Sequence, residues 1–211
     1  MCDPEVLGAA VVARTDTSPV VGIFGGTFDP PHVGHVAIAR DVRLTEHLTE
    51  ILWIPARRSP HKMNHQLTTS ELRWEMVMAA IEGLEGQEIS DLELHREGPS
   101  FSVDTLRELR SERPGGRPVL ILGSDQFEDL KRWREAPELG RLADLCVVAR
   151  DDVDPAKLQP GVDIVWSLSS LPPLDISSSE IRKRRKEGRP YRSLVPEGVA
   201  KIIEREDLYC V

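Results

Sequence analysis

Between Gly22 and His35 the chain reads GIFGGTFDPPHVGH, which places on one short stretch the residue types that hold a polyanion. Gly25 and Gly26 let a backbone turn tightly and approach a ligand with no Cβ in the way. Pro30 and Pro31 stiffen the stretch. His32 and His35 are spaced so that both rings face the same side around a helix start, and Gly34 between them leaves an open face for a bulky anion. The unpaired N–H groups of a helix start add positive charge there. Such a site suits phosphate oxygens, and a bound phosphate favours the cationic imidazoles. A metal site is the rival reading, but no carboxylate or cysteine stands at matching helical spacing, and Asp29 is a poor third ligand. A plain Gly/Pro loop with two surface histidines accounts for a lone GG or HxxH better than for the whole combination.

Further along, Pro55-Ala-Arg-Arg-Ser-Pro-His-Lys62 carries Arg57, Arg58, His61 and Lys62, either as a solvated basic loop or as an anion clamp. Ile176-Ser-Ser-Ser-Glu-Ile-Arg182 has Ser177 and Glu180 at capping-box spacing, so a helix is expected to start there. Its hydroxyls, N–H groups and Arg182 then form a second anion-binding helix start, with Lys183 to Lys186 mainly solvated. Asp125 follows the apolar run PVLILG and can bond a ribose hydroxyl or cap the next helix. Trp133, flanked by charged residues, is poorly suited to a wholly buried role and well suited to stacking on a flat heterocycle.

Together these motifs resemble the HxGH nucleotidylyltransferases, specifically the bacterial nicotinate-mononucleotide adenylyltransferases, from Val20 onward. PxxxxPHK is similar to that family's loop over the ATP phosphates. ISSSEIR is similar to ISSTxIR, with Ser179 in place of threonine. Ser100-Phe-Ser-Val-Asp-Thr-Leu106 is similar to SYTxDTL, with Ser102 in place of threonine, and Arg134 stands where an aromatic residue often follows the tryptophan. The resemblance implies transfer of AMP from ATP to nicotinate mononucleotide, giving deamido-NAD and pyrophosphate. It assigns His32, His35, Lys62 and Arg182 to catalysis, and Gly25, Gly26, Thr27, Phe28, Asp125, Ser177 and Ser178 to ATP. Ser102, Asp104, Thr105 and Trp133 fall to the mononucleotide. Mg²⁺ is expected mainly on ATP oxygens, with no metal site of the protein's own.

The acceptor phosphate is already an anion at pH 7, so neither a general base nor a covalent nucleophile is required. Nicotinamide mononucleotide and phosphopantetheine are alternative acceptors, the latter disfavoured by SFSVDTL and KRW. A nucleotide-binding module without turnover is the alternative from another class, and intact motifs argue against it.

Composition narrows the field further. The 211 residues carry 27 Lys+Arg against 35 Asp+Glu, a net charge of −8, which argues against a nucleic-acid or membrane-surface partner. An RNA-binding or tRNA-charging fragment is disfavoured on the same ground. Cys2, Cys146 and Cys210 are far apart and form no C-x-x-C pair, so a reducing cytoplasm is the expected location. The apolar stretch Val6–Ala13 lacks the basic start of a signal peptide, having Asp3 and Glu5 instead. Residues 1–18 are expected to be a poorly ordered leader and 19–211 a single domain, with self-association left open.

What must position these groups is a series of strands and helices in alternation. Strands are expected at Val20–Phe24, Glu50–Pro55, Glu88–Leu94, Pro118–Gly123, Leu145–Ala149 and Asp163–Leu168. Helices are expected at Val33–Thr49, Thr68–Glu82 (capped by Ser70), Ser102–Arg113, Ser178–Glu187 and Pro196–Glu206. This order implies a Rossmann-like, doubly wound α/β fold, a mostly parallel sheet covered on both faces, with ligands at the carboxyl ends of its strands.

Overall fold

The computed structural model describes residues 19–57, 67–113, 115–150, 154 and 157–210. The expected leader, and with it the reading of 1–18, lies outside them, as do His61 and Lys62. Six strands, β1 (Val21–Gly26), β2 (Glu50–Pro55), β3 (Gln87–Ile89), β4 (Val119–Gly123), β5 (Asp144–Val148) and β6 (Trp166–Leu168), pair in the order β3-β2-β1-β4-β5-β6. Every pairing is parallel.

Alternation along the strands divides the core in two. Ile23, Leu52, Ile54, Leu120, Leu122, Leu145 and Val147 point to one face, where they meet α3 (Ser102–Glu112), α4 (Ser124–Glu128) and α5 (Ala136–Leu142). Phe24, Ile51, Trp53, Val119, Ile121, Cys146 and Val148 point to the other, against α1 (Val33–Thr45) and α2 (Ser70–Ile81). Because neighbouring residues of one strand are buried on opposite faces, these strands read as continuous apolar runs. A third cluster packs α6 (Ser178–Lys186) and α7 (Glu197–Arg205) onto α2.

Several boundaries differ from the expected ones. Helix α1 stops at Thr45 because His47 turns left-handed (φ 53°), and Leu48 N–H and His47 N–H reach back to the Arg43 and Leu44 carbonyls. That Schellman ending, in which histidine fills the usual glycine position, folds Leu48 into the core. Thr69, not Ser70, caps α2, since its Oγ1 accepts from Leu72 N–H. The expected strand Glu88–Leu94 is a strand only over Gln87–Ile89, beyond which Leu94 N–H closes a turn on the Asp91 carbonyl. β6 is likewise reduced to Trp166–Leu168. Helix α4 is the helix beyond β4 that Asp125 was expected to contact, whereas α5 was not expected, although its Ala136, Leu139 and Leu142 follow helical spacing and are buried.

α5 packs unusually close to the chain before β6. A Cβ on Gly140 would lie against the carbonyl oxygen of Asp163, a backbone atom that cannot swing aside. Gly140→Ala should therefore cost about 1–3 kcal/mol of stability, read as a lower urea midpoint with an unchanged slope.

Candidate active site

The sheet order reverses direction between β1 and β4, so the carboxyl ends of these two strands flank a crevice. Since all strands run the same way, the N-termini of α1, α3 and α6 gather at this same edge of the sheet.

His32 is the N-cap of α1, and it and His35 cap each other. His35 N–H donates to His32 Nδ1 at 3.3 Å, and His32 N–H donates to His35 Nδ1 at 3.2 Å. Their rings stack with centroids 3.6 Å apart. With both Nδ1 atoms accepting, the neutral rings carry their protons on Nε2, at the far side from the backbone. Burial, and then the charge of Arg150, hold the His32 imidazole down at about 4. The free protein thus meets a phosphate with a neutral His32 offering an N–H.

Gly26 and Gly34 act differently from expectation, whereas Gly25 does not. Gly25 lies open, with nothing within 4 Å of where a Cβ would be. Gly26 instead makes room for the Phe28 ring, and Gly34 makes room for the His32 ring, so Gly34 serves the histidine pair and not an open face. Phe28 is 2% exposed and sits at a positive φ of 48°. Its ring packs edge-on to Phe24 and His35 and tilted on Trp53, which makes an aromatic floor under the second histidine.

Helix α6 docks onto this loop. Ser178 Oγ donates to the Pro30 carbonyl at 2.8 Å, and Arg182 Nη1 donates to the Asp29 carbonyl at 2.7 Å. Ser177 caps α6 by accepting from Glu180 N–H, but the reciprocal half of the expected capping box is replaced, since the Glu180 carboxylate binds Arg184 and Arg189. Asp125, in the first turn of α4, faces Arg150 at 3.5 Å, and Gly123 leaves space for that pair. Asp125 therefore does not cap α4, whose N-cap is Gly123.

Two residues that hold the site were missed from sequence. Arg73, 1% exposed, gives its five N–H donors to the carbonyls of Thr68, Thr27, Ala56 and Arg57 and to Ser70 Oγ. Arg150 follows β5 at its carboxyl end, a position that strand-end logic could have flagged.

The acceptor candidates form a second group on the other layer. Ser102 opens α3, and Asp104 in its first turn pairs with Arg134 at 3.2 Å. The Arg134 guanidinium lies 5.0 Å over the Phe101 ring. Thr105 is buried, donating to Glu93 at 2.6 Å and accepting from Arg96 at 2.8 Å, so its hydroxyl anchors the β3–α3 loop. Trp133 ends a 3-10 turn over Leu130–Arg132 and packs partly against the α3/α5 core. Among the described residues no group of three or more His, Cys, Asp or Glu could hold a metal ion, and no helix is long and apolar enough to cross a membrane.

A parallel sheet with its site at the strand-order switch, entered by an HxGH helix start, defines a nucleotidyltransferase, and the cytidylyltransferase-like family model matches residues 23–184. The chain belongs to that family. Within it, a probable nicotinate-nucleotide adenylyltransferase of Geobacillus thermodenitrificans is 40% identical over 90% of this chain and 85% of its own length. One from Desulfitobacterium hafniense is 38% identical over 90% and 95%. The chain's place is therefore among the nicotinate-nucleotide adenylyltransferases. The same fold occurs in the Plasmodium falciparum nicotinic acid mononucleotide adenylyltransferase complexed with NaAD (TM-score 0.76, 22% identity, 90% of this chain and 97% of that one).

The depressed His32 ties stability to pH. The unfolded imidazole takes its proton near its ordinary 6.5, the folded one only near 4. The stabilising contribution is complete above the higher value and is lost as pH falls toward the lower, in all roughly 3 kcal/mol. Tm should fall across that window, and His32→Asn, which keeps an N-cap acceptor, should flatten the slope.

Proposed function

We propose that this chain transfers AMP from ATP to nicotinate mononucleotide, releasing pyrophosphate and forming deamido-NAD. The observation that carries the reading is the reciprocal His32–His35 cap, which fixes two Nε2–H donors at the start of α1 beside Arg182. In the step, a phosphate oxygen of the mononucleotide attacks the α-phosphorus of ATP in line, and the bond from that phosphorus to the bridging oxygen of pyrophosphate breaks. No proton need be removed from the nucleophile. The protein's part is alignment and the stabilisation of charge building on the α- and β-phosphate oxygens. His32, His35 and Arg182 supply the donors, and Lys62 takes the same role on its sequence motif. A covalent route through Cys146 is disfavoured, because burial pushes its thiol up to about 12.

Adenine and its ribose are placed along Gly25, Gly26, Thr27, Asp125 and the Ser177–Ser178 start of α6, with Phe28 contributing from beneath as the support of His35. The donors at the phosphate end are N–H groups, while the Asp29 carboxylate is already bonded to Tyr209 and Thr68. This donor set fits phosphate oxygens better than a cation cage. Mg²⁺ would then arrive on ATP and neutralise phosphate charge.

The mononucleotide falls to Ser102, Asp104 and Trp133, while Thr105, expected to join them, holds the loop before α3 with its buried hydroxyl. Arg134 is already paired with Asp104, so preference for the acid over the amide rests on N–H groups at the α3 start. A carboxylate accepts from them, whereas an amide NH₂ sets donor against donor.

The deciding experiment supplies ATP with the acid or the amide mononucleotide at equal concentration and detects dinucleotide and pyrophosphate. Turnover faster with the acid is expected; no pyrophosphate from either acceptor would overturn the reading. His35→Ala should lower kcat about 10²–10³-fold, on the scale of a lost oxyanion donor, and lose about 1 kcal/mol of stability with its capping bond. Trp133→Ala should weaken mononucleotide binding by about 1–3 kcal/mol while calorimetry shows ATP affinity nearly unchanged. An equal loss for ATP would contradict the stacking role.

A further inference from the structure

We infer that Tyr209, in the segment after α7, is a positioning residue for adenylyl transfer, its hydroxyl fixing the Asp29 carboxylate and so the loop that presents His32 and His35. The inference rests on the reaction proposed above, but its geometry does not. Asp29 is 3% exposed and stands three residues before His32. Tyr209 Oη donates to Asp29 Oδ1 at 2.6 Å, and Thr68 N–H donates to Oδ2 at 3.3 Å. Thr68 Oγ1 in turn donates to Tyr209 Oη at 3.3 Å, closing a ring of three residues from three parts of the chain. The Asp29 carbonyl meanwhile accepts from Arg182. Asp29 is thus the point where α6, the start of α2 and the segment after α7 all grip the histidine loop.

The chain takes on strain to bring Tyr209 there. Asp207 and Tyr209 both adopt left-handed backbone, with φ of 47° and 64°, which a residue with a side chain adopts only when its surroundings demand it. Burial, and then the Asp29 charge, push the phenol well above its ordinary range. Tyr209 therefore keeps its proton at every working pH and acts as a fixed donor, never as a base. Without that donor, Oδ1 is a buried carboxylate oxygen lacking a partner, and the loop must shift to find water. A shift of about an ångström at the histidines is enough to cost up to 10²-fold in rate.

The test is Tyr209→Phe in the full chain, which keeps the ring and removes only the hydroxyl. A kcat lower by about 10-fold is expected, with KM for ATP and for nicotinate mononucleotide each nearly unchanged and Tm within a few degrees of wild type. A second readout needs no turnover: the His32 Hε1 resonance, titrated by NMR, should move from its midpoint of about 4 toward the ordinary 6.5 as the loosened ring gains water. That ring answers also to His35 and Arg150, both left intact by the substitution. An unchanged kcat with an unchanged His32 titration would overturn the inference. So would a loss of kcat that follows only a lower Tm, since that marks a merely structural tyrosine. A wild-type chain that forms no deamido-NAD would overturn the reaction alone, and the His32 titration would still decide the role of Tyr209.

Discussion

The guanidinium of Arg73 is out of reach of water, and a cation in that position is strongly destabilising unless every donor is used. Here all are used, four of them on backbone and the fifth on Ser70 Oγ: Thr27 from the loop after β1, Ala56 and Arg57 from the chain after β2, Thr68 from just before α2. One planar fork therefore ties together three segments, the first two of which are also joined by the Ala56 N–H to the Gly26 carbonyl at 2.8 Å. Burial weighs against the charge, and the nearby Asp29 carboxylate favours it. A lysine could not do this, because one ammonium cannot satisfy carbonyls spread around a plane. The histidine loop inherits its geometry from this clamp before any ligand arrives.

Preorganisation continues into the protonation state. A ring whose Nδ1 is spent on a backbone N–H cannot rotate or change tautomer without uncapping its own helix. His32 thus trades free titration for fixed direction, and His35 is held in the same way by its own Nδ1. For a reaction with no proton to transfer at the nucleophile, direction is the more useful property. Arg150 then contributes twice: after burial, its charge holds the His32 imidazole down, and it faces Asp125 at 3.5 Å.

Much of this was legible in the sequence, for reasons that can be stated residue by residue. The run Glu50–Pro55 is apolar on both faces and closes on a proline, so β2 could be placed to the residue. GIFGGTFDPPHVGH placed the first helix start on its own chemistry. The roles of Gly34 and of the serine–glutamate pair in α6 were not legible, because each depends on which side chain comes to lie beside it in space. Thr105 illustrates the same limit: DTL locates it correctly at α3, but nothing local reveals that Glu93 and Arg96 close on its hydroxyl from the preceding loop. Arg73 and Tyr209 were invisible for a plainer reason. An arginine in a helix and a tyrosine after one are ordinary residues in ordinary places, and only tertiary structure brings Arg73 to the Thr27 carbonyl and Tyr209 to Asp29.

The sheet narrows toward its margins. β1 and β2 have 6 residues each, whereas the outermost strands β3 and β6 have 3 apiece. An outer strand that short offers a foreign chain too few unpaired N–H and C=O groups to template a new ladder. On the β3 side, Arg113 bridges Glu50 and Glu88, which adds charge along the margin and discourages an apolar strand from pairing there. The irregular turns that replace the longer strands expected from sequence therefore leave a parallel sheet that ends before it can polymerise.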